Sequence, residues 1–299
     1  MKSKSKLANL KQLVRIRKPI LSSKKRRVSR ANTIYDLRAA AKKCTPRGPF
    51  DYTDGAADQE ITINKARRSF ENIEFQPHIL RDVSSATLAT TMLGKQYSMP
   101  VGIAPTGFTR MMNSEGEIAG SGSASAFGIP FTLSTMGTTS IENVAKNAPN
   151  GSNYFQLYLW RDRDRSLELI QRAEKAGYDG LVLTVDAQVA GARLRDVRNG
   201  LTVPPTLTAA TFLNALPRPN WWWNFLTKEP LDFASLGSWN GTVAQLMDTM
   251  FDPSMTYEDL KWIREIWPKK LIVKGVQRVD DAVKCAEYGA DAIVLSNHG

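Results

Sequence analysis

The chain has 299 residues, 42% of them hydrophobic, and a formal net charge of +11, which suits one large α/β domain or two smaller ones. Of its 40 Lys and Arg, 12 fall in the first 30 residues with no acid among them. The other 28 face all 29 Asp and Glu, so the body is nearly neutral and makes no electrostatic case for nucleic-acid binding. No apolar run reaches the roughly 18 residues of a spanning helix. Two cysteines, Cys44 and Cys285, suit packed thiols in a reducing compartment, not a disulfide framework or a metal centre.

Residues 1–32 form a basic arm. Leu7, Leu10, Leu13 and Val14 are spaced along one face of a short helix, which Pro19 interrupts. Three readings of the arm stay open: a solvated tail, a peripheral anchor to an anionic membrane surface, or a Ser- and Arg-rich targeting segment. Residues 33–299 follow as a second unit. From residue 100, short apolar stretches alternate with helical patterns. The strand candidates are PVGIAPTG (100–107), PFTLST (130–135), NYFQLYL (153–159), GLVLTVD (180–186), KLIVKGV (270–276) and AIVLSNH (292–298). Ser114-x-x-Glu117 reads as a capping box, and DRSLELIQRAEKAG and RVDDAVKCAEYG read as helices ended by Gly177 and Gly289. This alternation predicts a parallel α/β sheet: a TIM (β/α)8 barrel that reaches about six strands before the sequence stops, behind an N-terminal helical extension. Residues 187–269 are too long for a simple connection and hold PRPNWWWNFL (217–226).

Two units are near copies. GYDGLVLTVD (177–186) lies over GADAIVLSNH (289–298) without a gap, and the last matched pair is Asp186 and His298. Both fall at the carboxyl end of a predicted buried strand, the edge where α/β barrels carry their chemistry. An Asp beside a His orients the ring and stabilises the imidazolium, which suits a general base. Lys274 ends another strand at the same rim. Position alone leaves it as a Schiff-base nucleophile, a phosphate ligand or a cation facing an electron-rich cofactor. The other histidine, His78, has no such partner and is expected to be structural.

The motifs FDYTDGAADQE (50–60), IAPTG (103–107), TLST (132–135), FQLY (155–158), LVLTVD (181–186), GARLRDVRNG (191–200), VKG (273–275) and SNHG (296–299) together resemble the FMN-dependent 2-hydroxy-acid dehydrogenases and oxidases. The likeness runs from about residue 33 to the end. The basic leader and the Trp-rich segment resemble the family's bacterial L-lactate dehydrogenase branch. The resemblance implies FMN as cofactor and a small 2-hydroxy acid as substrate. It implies His298 as the base that takes the substrate proton, with Asp186 as its charge partner and Lys274 stabilising negative charge on the reduced flavin. Tyr52, Tyr158 and Arg193 are implied at the substrate. Ser134, Gln156 and Thr184 are implied at the isoalloxazine ring, with Ser296, the counterpart of Thr184, and with Pro105, Thr106 and Gly107 against the flavin.

Gly107 stands where the oxidases tend to carry Ala, which favours a quinone or cytochrome acceptor over oxygen. Met136 is expected in the pocket wall. The family also implies a homotetramer and a cytoplasmic protein peripheral to the inner face of the plasma membrane. The signature SNHGG-R-Q breaks off here after its first Gly. Its carboxylate-binding arginine and the last two strands are missing, so the sequence is expected to be a fragment of a longer product, inactive alone.

Overall fold

The computed structural model describes residues 20–200, 209–228, 231, 233, 234 and 250–299. The apolar spacing at Leu7–Val14 lies outside the described residues. Two compact units divide after Cys44. In the first, Ser23–Val28 and Ile34–Cys44 are helical, and the Ser22 side chain caps the former by accepting from the Lys25 N–H.

In the second unit, five parallel strands stand in sequence order: β3 (Pro130–Ser134), β4 (Ser152–Leu157), β5 (Gly180–Thr184), β6 (Lys270–Val276) and β7 (Ala292–Leu295). A helix follows each of β3, β4 and β6, over Ile141–Asn147, Arg163–Lys175 and Val279–Glu287. Strand side chains alternate between two apolar layers. Leu133, Phe155, Leu157, Leu181, Leu183, Leu271 and Val273 belong to the main core with the helices, whereas Tyr154, Val182 and Ile272 form the inner cluster. Each fully buried Leu or Phe stabilises the fold by about 1.5–3 kcal/mol. Cys285 is buried in the outer layer, which pushes its thiol pKa up, helped by the Asp281 charge; Cys44 is half-buried. His78 is exposed.

Three details differ from the sequence reading. The stretch 100–107 is not a sixth strand. Only Ile103 joins the wall, bridging to Phe131: its N–H donates to the Pro130 carbonyl and its carbonyl accepts from the Thr132 N–H. Pro100 and Pro105 have no N–H to extend the ladder. Ser114 and Glu117 form no capping box, because the helix Gly116–Phe127 starts later and the buried Glu117 carboxylate accepts from the Thr138 N–H and hydroxyl and the Thr139 hydroxyl. The third is a hairpin of β1 (Thr90–Met92) and β2 (Lys95–Tyr97), turning at Leu93 and Gly94, both with positive φ. Leu93 packs on the inner cluster, and the Tyr97 hydroxyl meets those of Ser152 and Tyr154 at 2.8 and 2.9 Å. The hairpin therefore closes the amino end of the strands and leaves the carboxyl end as the open rim.

Candidate active site

The near-repeat survives in three dimensions. Gly177 and Gly289 both take positive φ past their helices. Asp179 and Asp291 both donate a backbone N–H to the preceding strand, at Asn153 and Leu271. At the other end the two copies converge. His298 Nδ1 lies 2.7 Å from Asp186 Oδ1, with Asp186 almost wholly buried and the imidazole 42% exposed. His298 holds a φ of 69°, unusual for a residue with a side chain, and its N–H donates to Ser296 Oγ at 3.0 Å.

Burial opposes ionisation of Asp186, but the His298 hydrogen bond, the imidazolium charge and the Lys274 ammonium outweigh it and hold the carboxyl below the usual range. An ionised Asp186 only accepts, so Nδ1 donates to it and Nε2 is the ring nitrogen turned away from the carboxylate. Nε2 faces the Tyr158 hydroxyl at 3.3 Å. Lys274 Nζ sits 3.5 Å from Asp186 Oδ2, a buried oxygen with no hydrogen bond, and donates to Ser296 Oγ at 3.2 Å. Lys274 reaches this position at a register shift in β6, where Gly275 follows with φ 115°.

A second group runs along the inside of the wall. Ser134 Oγ donates to Gln156 Oε1, and Gln156 Nε2 donates to Thr184 Oγ1, both at 3.0 Å. All three residues are buried. Polar side chains inside a barrel call for a polar occupant. The second Gln156 N–H, the Thr184 hydroxyl proton and the remaining Lys274 protons are donors still to spend, which suits a ring edge rich in carbonyl and nitrogen acceptors.

A third group closes the rim beyond β3. Arg193 stacks over the Tyr52 ring at 5.0 Å, donates to the Tyr52 carbonyl, and pairs through Nε with Asp196 Oδ2 at 2.5 Å. Burial pushes the Tyr52 phenol up to about 12, against the lowering effect of Arg193. Burial likewise raises Tyr158, with Tyr52 and Asp186 adding to it. Gly107 comes to the same place: a Cβ there would lie 3.0 Å from Met136 Cβ and 3.4 Å from the Tyr52 hydroxyl. Pro105 and Thr106 precede it, half-buried and exposed respectively.

The structure thus brings His298, Asp186, Lys274, Tyr158 and Ser296 into one cluster. Ser134, Gln156 and Thr184 form a chain beside it, and Tyr52, Arg193 and Gly107 lie together at the rim. Three aromatic residues behind the phenols escaped the sequence reading. Phe251 lies against Tyr158 with centroids 4.9 Å apart, Phe108 against Tyr52 at 5.9 Å, and Phe233 against Phe108 at 4.1 Å. No periodic or motif signal marks Phe233 or Phe251 in the long insertion.

A family model described as FMN-dependent dehydrogenase matches residues 41–299. A putative L-lactate dehydrogenase of Mycobacterium tuberculosis (strain ATCC 25618 / H37Rv) is 53% identical over 291 residues, 97% of this chain and 70% of that protein. An L-lactate dehydrogenase of Ectopseudomonas mendocina (strain ymp) is 38% identical over 271 residues, 88% of this chain and 71% of its own length. Among solved structures, the monotopic membrane protein (S)-mandelate dehydrogenase matches with a TM-score of 0.85 at 35% identity, covering 90% of this chain and 73% of that one. A mandelate oxidase matches with a TM-score of 0.75 at 31% identity, covering 90% and 69%. The parallel wall and these matches make the fold a TIM barrel. Matched by that family model over residues 41–299 and by relatives of this identity, the chain belongs to the FMN-dependent dehydrogenase family, the flavoenzymes of 2-hydroxy-acid oxidation.

Proposed function

We propose that this site oxidises L-lactate, or a similarly small L-2-hydroxy acid, to the 2-oxo acid. His298 serves as the base and a quinone or cytochrome as the final electron acceptor. The observation that carries the reading is the 2.7 Å contact of His298 Nδ1 with a buried carboxylate, which leaves Nε2 facing the open rim. Nε2 takes the substrate hydroxyl proton, and Asp186 stabilises the imidazolium that results. Tyr158 and Tyr52, both held neutral by burial, donate hydrogen bonds to the substrate's hydroxyl and carboxylate region. Arg193 stays against Tyr52, adding positive charge on that side. Ser134, Gln156, Thr184 and Ser296 would hold the cofactor ring, Pro105–Gly107 would lie against it, and Lys274 would face its polar edge. Bound FMN supplies the two-electron acceptor for the C2 centre. Lys274 places an ammonium where negative charge develops, the kind of fixed electrostatic stabilisation that lowers barriers most.

The test is anaerobic mixing of the FMN-loaded natural enzyme with L-lactate. Loss of the oxidised-flavin absorbance, abolished in His298→Asn, is expected; bleaching that survives His298→Asn removes the proposed base. Peroxide yield in air decides the acceptor: a stoichiometric yield would make the protein an oxidase.

Attachment to an anionic membrane surface is the second part of the reading. No helix among the described residues is long and apolar enough to cross a bilayer. The helices Ala209–Ala215 and Pro219–Thr227 and the turn between them expose Leu213, Leu216, Trp223 and Leu226, with Arg218 and Lys228 close in sequence, an interfacial composition. Within the first unit, the helix Ser23–Val28 carries four consecutive cations of its own. The mandelate dehydrogenase above is a monotopic membrane protein. Sedimentation with anionic vesicles checks this: deleting residues 2–30 or adding salt should weaken binding, and Trp223→Glu with Leu226→Glu should weaken it further. Binding indifferent to all three changes would rule the surface out.

A further inference from the structure

We propose that described residues of the β5–β6 connection position the active-site phenols, with Phe251 the residue that holds Tyr158 in place. The inference rests on the reading that Tyr158 works at the substrate. Phe251 is 5% exposed, and its ring tilts 55° against Tyr158 with centroids 4.9 Å apart. Among the described residues the Tyr158 hydroxyl has one hydrogen-bond partner, His298 at 3.3 Å, which is too long to fix a ring by itself. Packing must therefore select its rotamer, and Phe251 supplies that packing.

The backing is itself tied down, and by residues that follow Tyr158 in sequence. Arg161 Nε donates to the Phe251 carbonyl at 3.2 Å. Arg163 Nη2 pairs with Asp252 Oδ2 at 2.6 Å and Asp259 Oδ1 at 2.8 Å. Asp252 Oδ1 accepts from the Ser254 N–H and hydroxyl, and Thr256 with Asp259 forms the capping box of the helix Tyr257–Ile266. The loop bearing the phenol thus grips the segment bearing its support. The other phenol repeats the pattern: Phe233 backs Phe108, Phe108 packs against Tyr52, and Arg193 lies over the Tyr52 ring. Phe233, Phe251 and Arg193 all belong to residues 187–269. Described residues of one connection therefore pack toward both phenol rings.

The experiment uses the FMN-loaded natural enzyme with L-lactate, comparing Phe251→Ala, Phe251→Leu, Arg163→Gln and Tyr158→Phe. Phe251→Ala should lower kcat/KM by about tenfold to a hundredfold, the loss expected when a reacting group is displaced by about an ångström. It should also shift the acidic limb of the pH profile, because the hydroxyl no longer meets His298 Nε2. Phe251→Leu, which refills the space, should recover most of both. If Phe251→Ala does not fold, Arg163→Gln decides: a shifted profile supports the inference and a parental profile overturns it. A Phe251→Ala enzyme with a parental profile and kcat/KM within about twofold of the parent overturns it, whatever its Tm. Tyr158→Phe separates the two layers. If it impairs the enzyme while Phe251→Ala does not, positioning alone is wrong; if it has no effect, the phenol's role falls and the inference with it.

Discussion

Asp186 and His298, 112 positions apart in sister segments, meet at 2.7 Å where β5 and β7 run out at the barrel rim. The carboxylate is buried and the imidazole is not, so the pair has an inner fixed end and an outer working end. Asp186→Asn keeps the shape and removes the charge. It should lower kcat by about 10²–10⁴-fold while flavin content stays near parental, and His298→Asn should do at least as much. Steady-state kinetics beside flavin absorbance would check this, and near-normal turnover in either variant would refute the pairing's role.

The same pair sets an acid limit on stability. Asp186 ionises below the usual carboxylate value, so its contribution is present above the unfolded pKa of about 4 and is lost as pH falls through the lower folded value. Asp252 and Asp291 act in the same direction: against burial, Asp252 is lowered by hydrogen bonds from Ser254 and then by Arg163, and Asp291 by the Leu271 N–H and then by Lys270 and Arg264. Melting curves below about pH 4 should fall less steeply in Asp186→Asn than in the parent. Parallel curves would show that Asp186 is not among the titrating groups.

Alkaline stability has the opposite sign. Tyr52 is raised to about 12, and Tyr154, Tyr158 and Tyr178 are raised as well, each chiefly by burial. Groups with raised folded pKa stabilise fully below the unfolded value of about 10 and lose that contribution as pH climbs through the folded one. Melting temperature should therefore decline from about pH 10 upward, and Tyr178→Phe should soften the decline. Activity lost below pH 10 would belong to other groups, since these phenols remain protonated there.

How much of this was legible in the sequence depends on whether the information is local. The repeat placed Asp186 and His298 on matching strand ends, and parallel topology then brought those ends to one rim. Gly177 and Gly289 marked helix ends through their own backbone needs. The stretch 100–107 misled because Val101 and Ile103 look like strand residues, whereas ladder length depends on neighbours and on the N–H groups that Pro100 and Pro105 lack. Ser114 and Glu117 had the right spacing for a cap, but a loop 21 residues away recruited the carboxylate. Phe233 and Phe251 gave no signal at all, since an aromatic residue's role in a long insertion is set by what it touches after folding.

Close approach at Gly275 offers a sharper prediction. Its φ is 115°, and a Cβ there would sit 2.6 Å from Asp186 Cβ and 2.8 Å from the Asp186 backbone nitrogen. Gly275→Ala must therefore push the Asp186 carboxylate as well as strain the backbone, costing about 1–3 kcal/mol or more. Gly177 is the control, with φ 85° and nothing within 4 Å. Gly177→Ala should lower Tm with kcat retained, whereas Gly275→Ala should lower both. Equal kinetics for the two variants would mean that displacement of Asp186 is tolerated.

Arg195 fastens the start of the insertion to the helix that carries Tyr52. Its guanidinium pairs with Asp54 at 3.1 Å, Asp51 at 3.6 Å and Glu60, while Asn199 donates to Asp51 at 2.9 Å. Burial works against the cation, but these carboxylates outweigh it and raise its pKa. Two helices are joined here, Arg47–Asp54 and Leu194–Asn199, with Tyr52 on one and Arg193 at the N-cap of the other. Arg195→Met should leave the wall and the His298 pair intact while loosening Tyr52 against Arg193. With Tyr52 and Arg193 in the substrate-binding roles proposed above, KM for L-lactate should rise about three- to tenfold with a smaller change in kcat. Limited proteolysis should cut faster within residues 187–200. A kcat loss at constant KM would contradict this division of labour, since it would mean that the clip acts on proton transfer and that Tyr52 does more than hold the substrate.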